Sequence, residues 1–444
     1  MLLALAVSAT MQLPGGPPVT LAQVVDRAVA THPSVGAARA VVDRAHADAS
    51  EARSALKPRF SLDASLNQFQ EPMVVLPLHG FNPQHPPLFD RSLVQSGVSA
   101  AWTVYDFGLR SARVQLQEAL GDAANSGVTS AERQLVARTA TAYVRVLTAR
   151  GVLGAHDQRI ASLKAAQART AQLVAEGKAA RLASLRVDAE MQRAQADRIA
   201  AASQLEIAEQ ELAQYADLPQ AQIHVAVLGS LALADTAFVA DTTGATRATL
   251  VARAATMSSE LREAQLRAGA AHSGLAVAKA TGMPELRVSG GYVDRGRLRG
   301  DFAAEWQIGL AASYPLYSGG SRESARQRAM ADERGANDQV RLVQLAVEQG
   351  IDRTLANLRE AHARSTALRG AVAQSAEVVR VEQLSLDVGS GTQSEYLDAE
   401  ASLLYARASL VEAQHAEIIA RVELARLVGD LSRDWLVRTV ESHQ

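Results

Sequence analysis

The sequence predicts a mixed fold: coiled-coil-like α-helical hairpins joined to transmembrane β-strands, four strands per chain. Three observations predict it. Proline breaks interior helical hydrogen bonds, and the 444-residue chain has none between Pro87 and Pro219 and none after Pro315. Twelve of the 18 aromatic residues fall in or beside four short segments whose apolar residues alternate with period two. Much of the chain is duplicated, with equivalent residues 212 positions apart.

Composition sets the outer bounds. The chain has no cysteine, which excludes a disulfide framework, a thiolate metal site and a Cys nucleophile. Its 45 Lys+Arg against 47 Asp+Glu give no electrostatic reason to bind nucleic acid. No apolar run reaches the roughly 18 residues that a membrane-spanning helix needs. Met1 to Ala9 (MLLALAVSA) resembles the apolar part of a secretory signal without a preceding basic stretch. Residues 1–19 are therefore expected to be a partial signal or a disordered N-terminus.

The first repeat is expected over 20–219. It opens with a helix, followed by strands at about 59–69 and 96–106. In FSLDASLNQ, Phe60, Leu62, Ala64 and Leu66 face one way, while Ser61, Asp63, Ser65 and Asn67 face the other. In VSAAWTVY, Val98, Ala100, Trp102 and Val104 form the apolar side. A long helical hairpin follows over about 110–216. Its Ala161 to Gln210 stretch holds 16 alanines, suited to thin helices packed side by side rather than to a globular core. Its first helix, of some 64 residues, would be roughly 95 Å long at 1.5 Å per residue.

A linker is expected over 220–245 and the second repeat over 246–430. Its strands are expected at about 285–293 and 304–316, and its hairpin at about 321–428; residues 431–444 form a tail. Leu286, Val288 and Tyr292 oppose Arg287 and Ser289, and Trp306, Ile308, Leu310, Ala312, Tyr314 and Leu316 line one side of the last strand. Each strand is about ten residues long, enough to cross a bilayer when tilted. Upstream of the strands the repeat spacing is 226, so the first copy carries 14 extra residues. They fall in EPMVVLPLHGFNPQHPPLFD, a five-proline loop insertion between its two strands.

Four strands cannot close a membrane barrel, which needs about eight, and a spanning sheet cannot leave its edges open in hydrocarbon. If the strands span, several chains must share one barrel. Gly108 and Gly320 follow the second strand of each repeat and mark the strand-to-helix junctions; Gly177 and Gly389 mark the hairpin tips.

The chain resembles the TolC-like outer-membrane channel proteins of Gram-negative export systems, from about Leu21 to Leu431. The resemblance rests on HPSVGAA, ALKPRFSLDAS, the junctions VYDFGLRSAR and LYSGGSRESAR, and the turns AEGKAARLASL and DVGSGTQSEYLDAE, in that order and duplicated. It implies a homotrimer whose strands close a 12-stranded barrel in outer-membrane lipid, continued by a long α-helical tunnel in the periplasm. It also implies docking to a periplasmic adaptor (membrane fusion) protein and an inner-membrane pump of RND, ABC or MFS type, in tripartite efflux or type I secretion. Such channels are passive, with no catalytic site, cofactor or metal. Trp102, Trp306, Tyr314 and Tyr317 become candidates for lipid-facing or belt positions.

The same resemblance places the acidic pair of the channel entrance at Glu395 and Asp398. They are three apart and share one helical face. In a trimer their six carboxylates would crowd the axis, favour cations and tend to raise some of their pKa values. The sequence departs from the family pattern at Leu386, Gly391 and Ala183, where residues that tie the entrance shut are expected. Arg181, Lys178, Gln393 and apolar packing at Leu386 are the candidates to replace them. An enzyme is disfavoured: there is no H-E-x-x-H, P-loop or nucleophile elbow, and His79 and His85 read as exposed loop residues. The remaining alternative is a periplasmic coiled-coil adaptor or scaffold without a barrel.

Overall fold

A computed structural model describes residues 19–75, 88–225, 228–231 and 244–440. The candidate signal segment, His79 and His85 of the proline-rich loop, and most of the linker lie outside the described residues. Helix α1 (Leu21–Thr31) opens on a capping box in which the Thr20 hydroxyl accepts from the Gln23 N–H and the Gln23 side chain accepts from the Thr20 N–H. It is followed by α2 (Pro33–Ser54), β1 (Arg59–Val74), β2 (Phe89–Tyr105), α3 (Leu109–Ala175) and α4 (Arg181–Ala216). After α5 (Gln220–Val225) come α6 (Gly244–Met257), α7 (Ser259–Ala280), β3 (Glu285–Arg297), β4 (Gly300–Ser313), α8 (Ser321–Asp387), α9 (Gln393–Val428) and α10 (Arg433–Thr439). The duplication persists at the level of elements: α3 and α8 have 67 residues each, α4 and α9 have 36, and α2 and α7 have 22.

The chain divides into two compact units, neither of which coincides with a repeat. One comprises residues up to 39, 127–262 and 342 onward; the other comprises 40–126 and 263–341. The first is built on apolar packing between helices. Leu21 and Val24 of α1, Tyr143 and Val144 of α3, Leu212 of α4, Val422 of α9 and Leu436 of α10 are buried in one cluster. Residues expected as a linker and a tail thus contribute α5 and α10, because Ile223 and Leu436 are buried in this cluster, while α6 at the start of the second repeat packs Ala254 into a separate cluster with Ile351 and Leu427. Gly429 caps α9 with φ +93°, and any Cβ there would collide with the Met257 carbonyl. Gly429→Ala is expected to destabilise this unit by about 1–3 kcal/mol, measurable as a lower urea midpoint at unchanged slope.

The second unit holds a four-stranded antiparallel sheet in the order β1-β2-β3-β4, so the two repeats pair through β2 and β3. Its register aligns the alternation predicted strand by strand. One row runs Leu62, Val98, Tyr292, Trp306, and the next Phe60, Ala100, Gly290, Ile308. The intervening rows are Ser61, Ser99, Gly291, Gln307 and Asp63, Gly97, Val293, Glu305. One face is therefore apolar and the other small and polar. Neither is covered by the described residues: β1 is exposed over nearly its whole length, and Leu62, Trp306 and Ile308 are 78%, 74% and 74% exposed.

Strand limits differ from those expected. β1 and β2 run further into the proline-rich segment, to Val74 and from Phe89. Pro72 is tolerated because β1 is an edge strand and its ladder is irregular between Gln68 and Met73. β4 stops at Ser313, so Tyr314 and Leu316 lie beyond the strand they were expected to extend. Pro315 has no N–H to donate, and the chain leaves the ladder before it.

Candidate functional site

Three places carry the features of a conduit: the sheet, its junctions with the long helices, and the hairpin tips. On the sheet, Trp102 and Trp306 both project from the apolar face, in the rows of Leu310 and Leu62 respectively. The Trp102 indole Nε1 donates to the Leu56 carbonyl at 2.9 Å, which anchors its polar edge at the helix end of the sheet. Tyr314 and Tyr317 are exposed at that same end, just past β4. Trp306 instead lies midway along β4, opposite Tyr292.

At both junctions the chain turns from strand to helix through two successive left-handed residues. They are Phe107 (φ +50°) and Gly108 (φ +88°) in the first repeat, Gly319 (φ +59°) and Gly320 (φ +81°) in the second. Glycine meets this demand without a Cβ penalty; Phe107 meets it with help from Asp106. That carboxylate accepts from the N–H groups of Gly108 (3.2 Å) and Arg110 (3.0 Å) and from Arg110 Nε (2.6 Å). Burial disfavours its charge, but the Arg110 guanidinium and these N–H donors outweigh burial and hold the Asp106 carboxyl below the usual carboxylate range.

Arg110 Nη1 also donates to the Ala55 carbonyl at 3.1 Å, tying the start of α3 to the turn before β1. Its counterpart Arg322 donates to the carbonyls of Gly282 (3.1 Å) and Pro315 and lies 5.7 Å from the Tyr314 ring centroid. The two arginines stand at the 212-residue spacing inside the junction motifs VYDFGLRSAR and LYSGGSRESAR, where no role was assigned to them. Their recurrence beside each junction glycine was the available signal.

At the tips, Gly177 (φ +72°) and Gly389 (φ +79°) end α3 and α8. Lys178 N–H donates to the Leu173 carbonyl at 2.8 Å, and Ser390 N–H to that of Ser385 at 2.9 Å, the reversal that a left-handed glycine permits. The tips then diverge. Helix α4 has Ala180 at its N-cap and no side-chain cap, whereas Thr392 and Glu395 form a capping box on α9. Glu395 Oε2 accepts from the Thr392 N–H and hydroxyl, both at 2.8 Å. Within one chain these bonds hold the Glu395 carboxyl below its usual range; crowding at a threefold axis would act in the other direction. The T-x-x-E spacing of Thr392 and Glu395 is legible in the sequence and was missed.

Asp398 is exposed on the same helix, a turn away. A Cβ on Gly391 would lie 2.9 Å from that of Ser385, so a side chain at this position would require the turn to shift. Of the four candidate replacements, Lys178 pairs with Glu176 in its own turn at 2.7 Å and Arg181 is exposed. Gln393 and Leu386 do reach α3: the Thr170 hydroxyl donates to Gln393 Oε1 at 3.5 Å, and Leu386 packs on the cluster containing Leu163 and Ala166. Arg169 of α3 pairs with Asp387, and the buried Arg159 donates to the Leu397 carbonyl at 3.2 Å. Burial and the nearby Glu400 carboxylate push the Tyr396 hydroxyl up to about 12, so it stays a neutral donor to Glu400.

No group of His, Asp and Glu suited to a metal ion occurs among the described residues. Comparison with known proteins agrees with this layout. The model of the outer membrane efflux protein family matches residues 24–216 and 250–430, one segment for each repeat. The chain is 24% identical over 423 residues to outer membrane protein TolC of Vibrio cholerae, covering 93% of this chain and 91% of that one. It is 31% identical to outer membrane efflux protein BepC of Brucella suis over 137 residues, 29% of this chain and 28% of that one. Among solved structures, the CmeC outer membrane channel of Campylobacter jejuni superposes with a TM-score of 0.81 at 13% identity, over 94% of this chain and 88% of that one. VceC of Vibrio cholerae superposes at 0.77 and 18% identity, over 92% and 96%. With both repeats matched, the chain belongs to the outer membrane efflux protein family and is a non-catalytic channel component of the outer membrane.

Proposed function

We infer that three copies of this chain join their sheets edge to edge into a 12-stranded barrel, and that the long hairpins continue it as a periplasmic tunnel. Substrate handed over by a periplasmic adaptor and an inner-membrane pump of RND, ABC or MFS type would pass outward through it. One observation carries this reading: a sheet apolar on one face and polar on the other, with both faces and the outer edges of β1 and β4 left open among the described residues. An apolar face suits lipid, a polar face suits a wet lumen, and closure removes the edges. Trp102, Tyr314 and Tyr317 then form a belt at the periplasmic end, while Trp306 meets lipid nearer the middle. Purified protein is expected to need detergent, to have the mass of a trimer and to give stepwise conductance in planar bilayers. A stable, detergent-free monomer without conductance would sink the reading.

At the entrance, Glu395 and Asp398 give the mouth its cation preference, and the contacts of Arg169, Thr170, Gln393 and Leu386 keep the two hairpins of each subunit together. Because Glu395 also caps α9, an alanine would confuse charge with fold. E395Q/D398N keeps an acceptor at the cap while removing the charge. It is expected to lower cation over anion selectivity, read as a smaller reversal potential in a salt gradient, with trimer yield unchanged. An unaltered reversal potential would remove these carboxylates from the entrance.

A further inference from the structure

The two hairpins of the chain meet along a seam, and the duplication indicates where a second seam lies. Leu163 and Ala166 of α3 are buried with Tyr396, Leu397 and Leu403 of α9. Val411 of α9 lies against Gly151 of α3, where a Cβ would come within 2.8 Å of it. The second hairpin thus covers the α3 side of the first. At the 212-residue spacing, α8 takes the place of α3 and α4 that of α9. In the trimeric ring inferred above, on which this rests, six hairpins alternate. The α8 side of each second hairpin then meets α4 of the next chain.

The residues that would form this second seam are apolar and exposed. Val378 of α8 corresponds to the buried Ala166, Leu185 of α4 to the buried Leu397, and Ile199 of α4 to Val411. Val378, Leu185 and Ile199 are 49%, 54% and 68% exposed. Positions closed in the seam within the chain are open in its counterpart, as befits a surface that a second copy covers.

The two seams differ near the hairpin tips. Within the chain, Thr170 of α3 meets Gln393 of α9 in a neutral contact, and Arg169 pairs with Asp387 beside it. Between chains the counterparts of Thr170 and Gln393 are Glu382 and Arg181, and those of Arg169 and Asp387 are Val381 and Ala175. Neither Glu382 nor Arg181 forms an ion pair among the described residues. We propose that Glu382 of each chain pairs with Arg181 of the next, so that three such pairs fasten the between-chain seams around the entrance. Ion pairs near the surface are individually weak and are screened by salt. The seam within each chain also holds the buried Arg159, bonded to the Leu397 carbonyl, whereas the counterpart of Arg159 is Ala371. The between-chain seams are therefore the ones that part when the entrance opens.

The absence of cysteine allows a direct test on the full chain in detergent. With a short bis-maleimide, E382C/R181C is expected to give linked dimers and trimers after denaturation, and T170C/Q393C linkage within single chains only. If E382C/R181C has the native mass of a trimer but does not link, or links only within single chains, the proposal is overturned and the trimeric reading stands. A native mass of one chain in the parent would sink both. The second measurement is conductance in planar bilayers at low salt. R181E and E382R each set like charges against one another, and both are expected to raise conductance about two- to fivefold. R181E/E382R is expected to return it to the parent value. The two single variants change the charge of the mouth in opposite senses, so an effect on the passing ions alone would shift them in opposite directions. Opposite shifts, unchanged single variants or no recovery in the double variant also overturn the proposal.

Discussion

I308R is expected to abolish assembly of the channel, whereas Q307R, one residue away, should assemble as the parent does. Ile308 lies on the apolar face in register with Phe60 and Ala100, and Gln307 on the polar face in register with Ser61 and Ser99. An arginine on the lipid face near the bilayer midplane costs about 2–4 kcal/mol. Three copies would bring that to roughly 6–12 kcal/mol, comparable with the whole stability of a folded domain. On the lumenal face the same charge stays in water. The readout is the fraction of protein recovered as trimer from outer membranes, with conductance as a second measure. Loss of Q307R with recovery of I308R would mean that the faces have been assigned the wrong way round, and equal recovery of the two variants that the sheet does not meet lipid.

D106A is expected to destabilise the first junction by about 3–5 kcal/mol per chain, because it leaves the guanidinium of Arg110 buried beside a missing partner. The two side chains are only 11% and 13% exposed, so solvent cannot replace the carboxylate. D106S should cost less, since Ser318 occupies the equivalent place in the second repeat and accepts from Arg322 at 3.4 Å. Hydrogen exchange over 106–112 in detergent would rank the three proteins as parent, D106S, D106A in order of falling protection. The contribution also depends on pH. The folded-state pKa of Asp106 lies below its unfolded value of 3.8, so its stabilisation is complete above the unfolded value. It is lost as pH falls through the lower folded value. Protection at this junction should therefore survive mild acid and disappear only below the ordinary aspartate range. D106A should show no such step.

Much of the architecture was legible because it is written locally. Long proline-free tracts rich in alanine read directly as α3 with α4 and α8 with α9, and the tip and junction glycines stand where positive φ is required. The alternation of Phe60 to Leu66 and of Trp306 to Ala312 assigned faces to strands before any pairing was known. Other features escaped for different reasons. The capping role of Glu395 was present in the T-x-x-E spacing and went unread beside the entrance assignment. The clamps made by Arg110 and Arg322 reach backbone carbonyls 55 and 40 residues away. A carbonyl carries no mark in the sequence.

The sequence by itself determined that there are two copies of one unit, that each holds two strands and a long hairpin, and which side of every strand is apolar. These follow from periodicities of two and near 3.6 residues, and from glycine and proline acting on their own backbone. Only the tertiary structure decided that the repeats join through β2 and β3, that the described residues leave both faces of the sheet open, and that Glu209 and Glu417 draw their arginines from different helices. Those outcomes depend on contacts between segments far apart in the chain. Burial and charge balance select such contacts only once the segments meet.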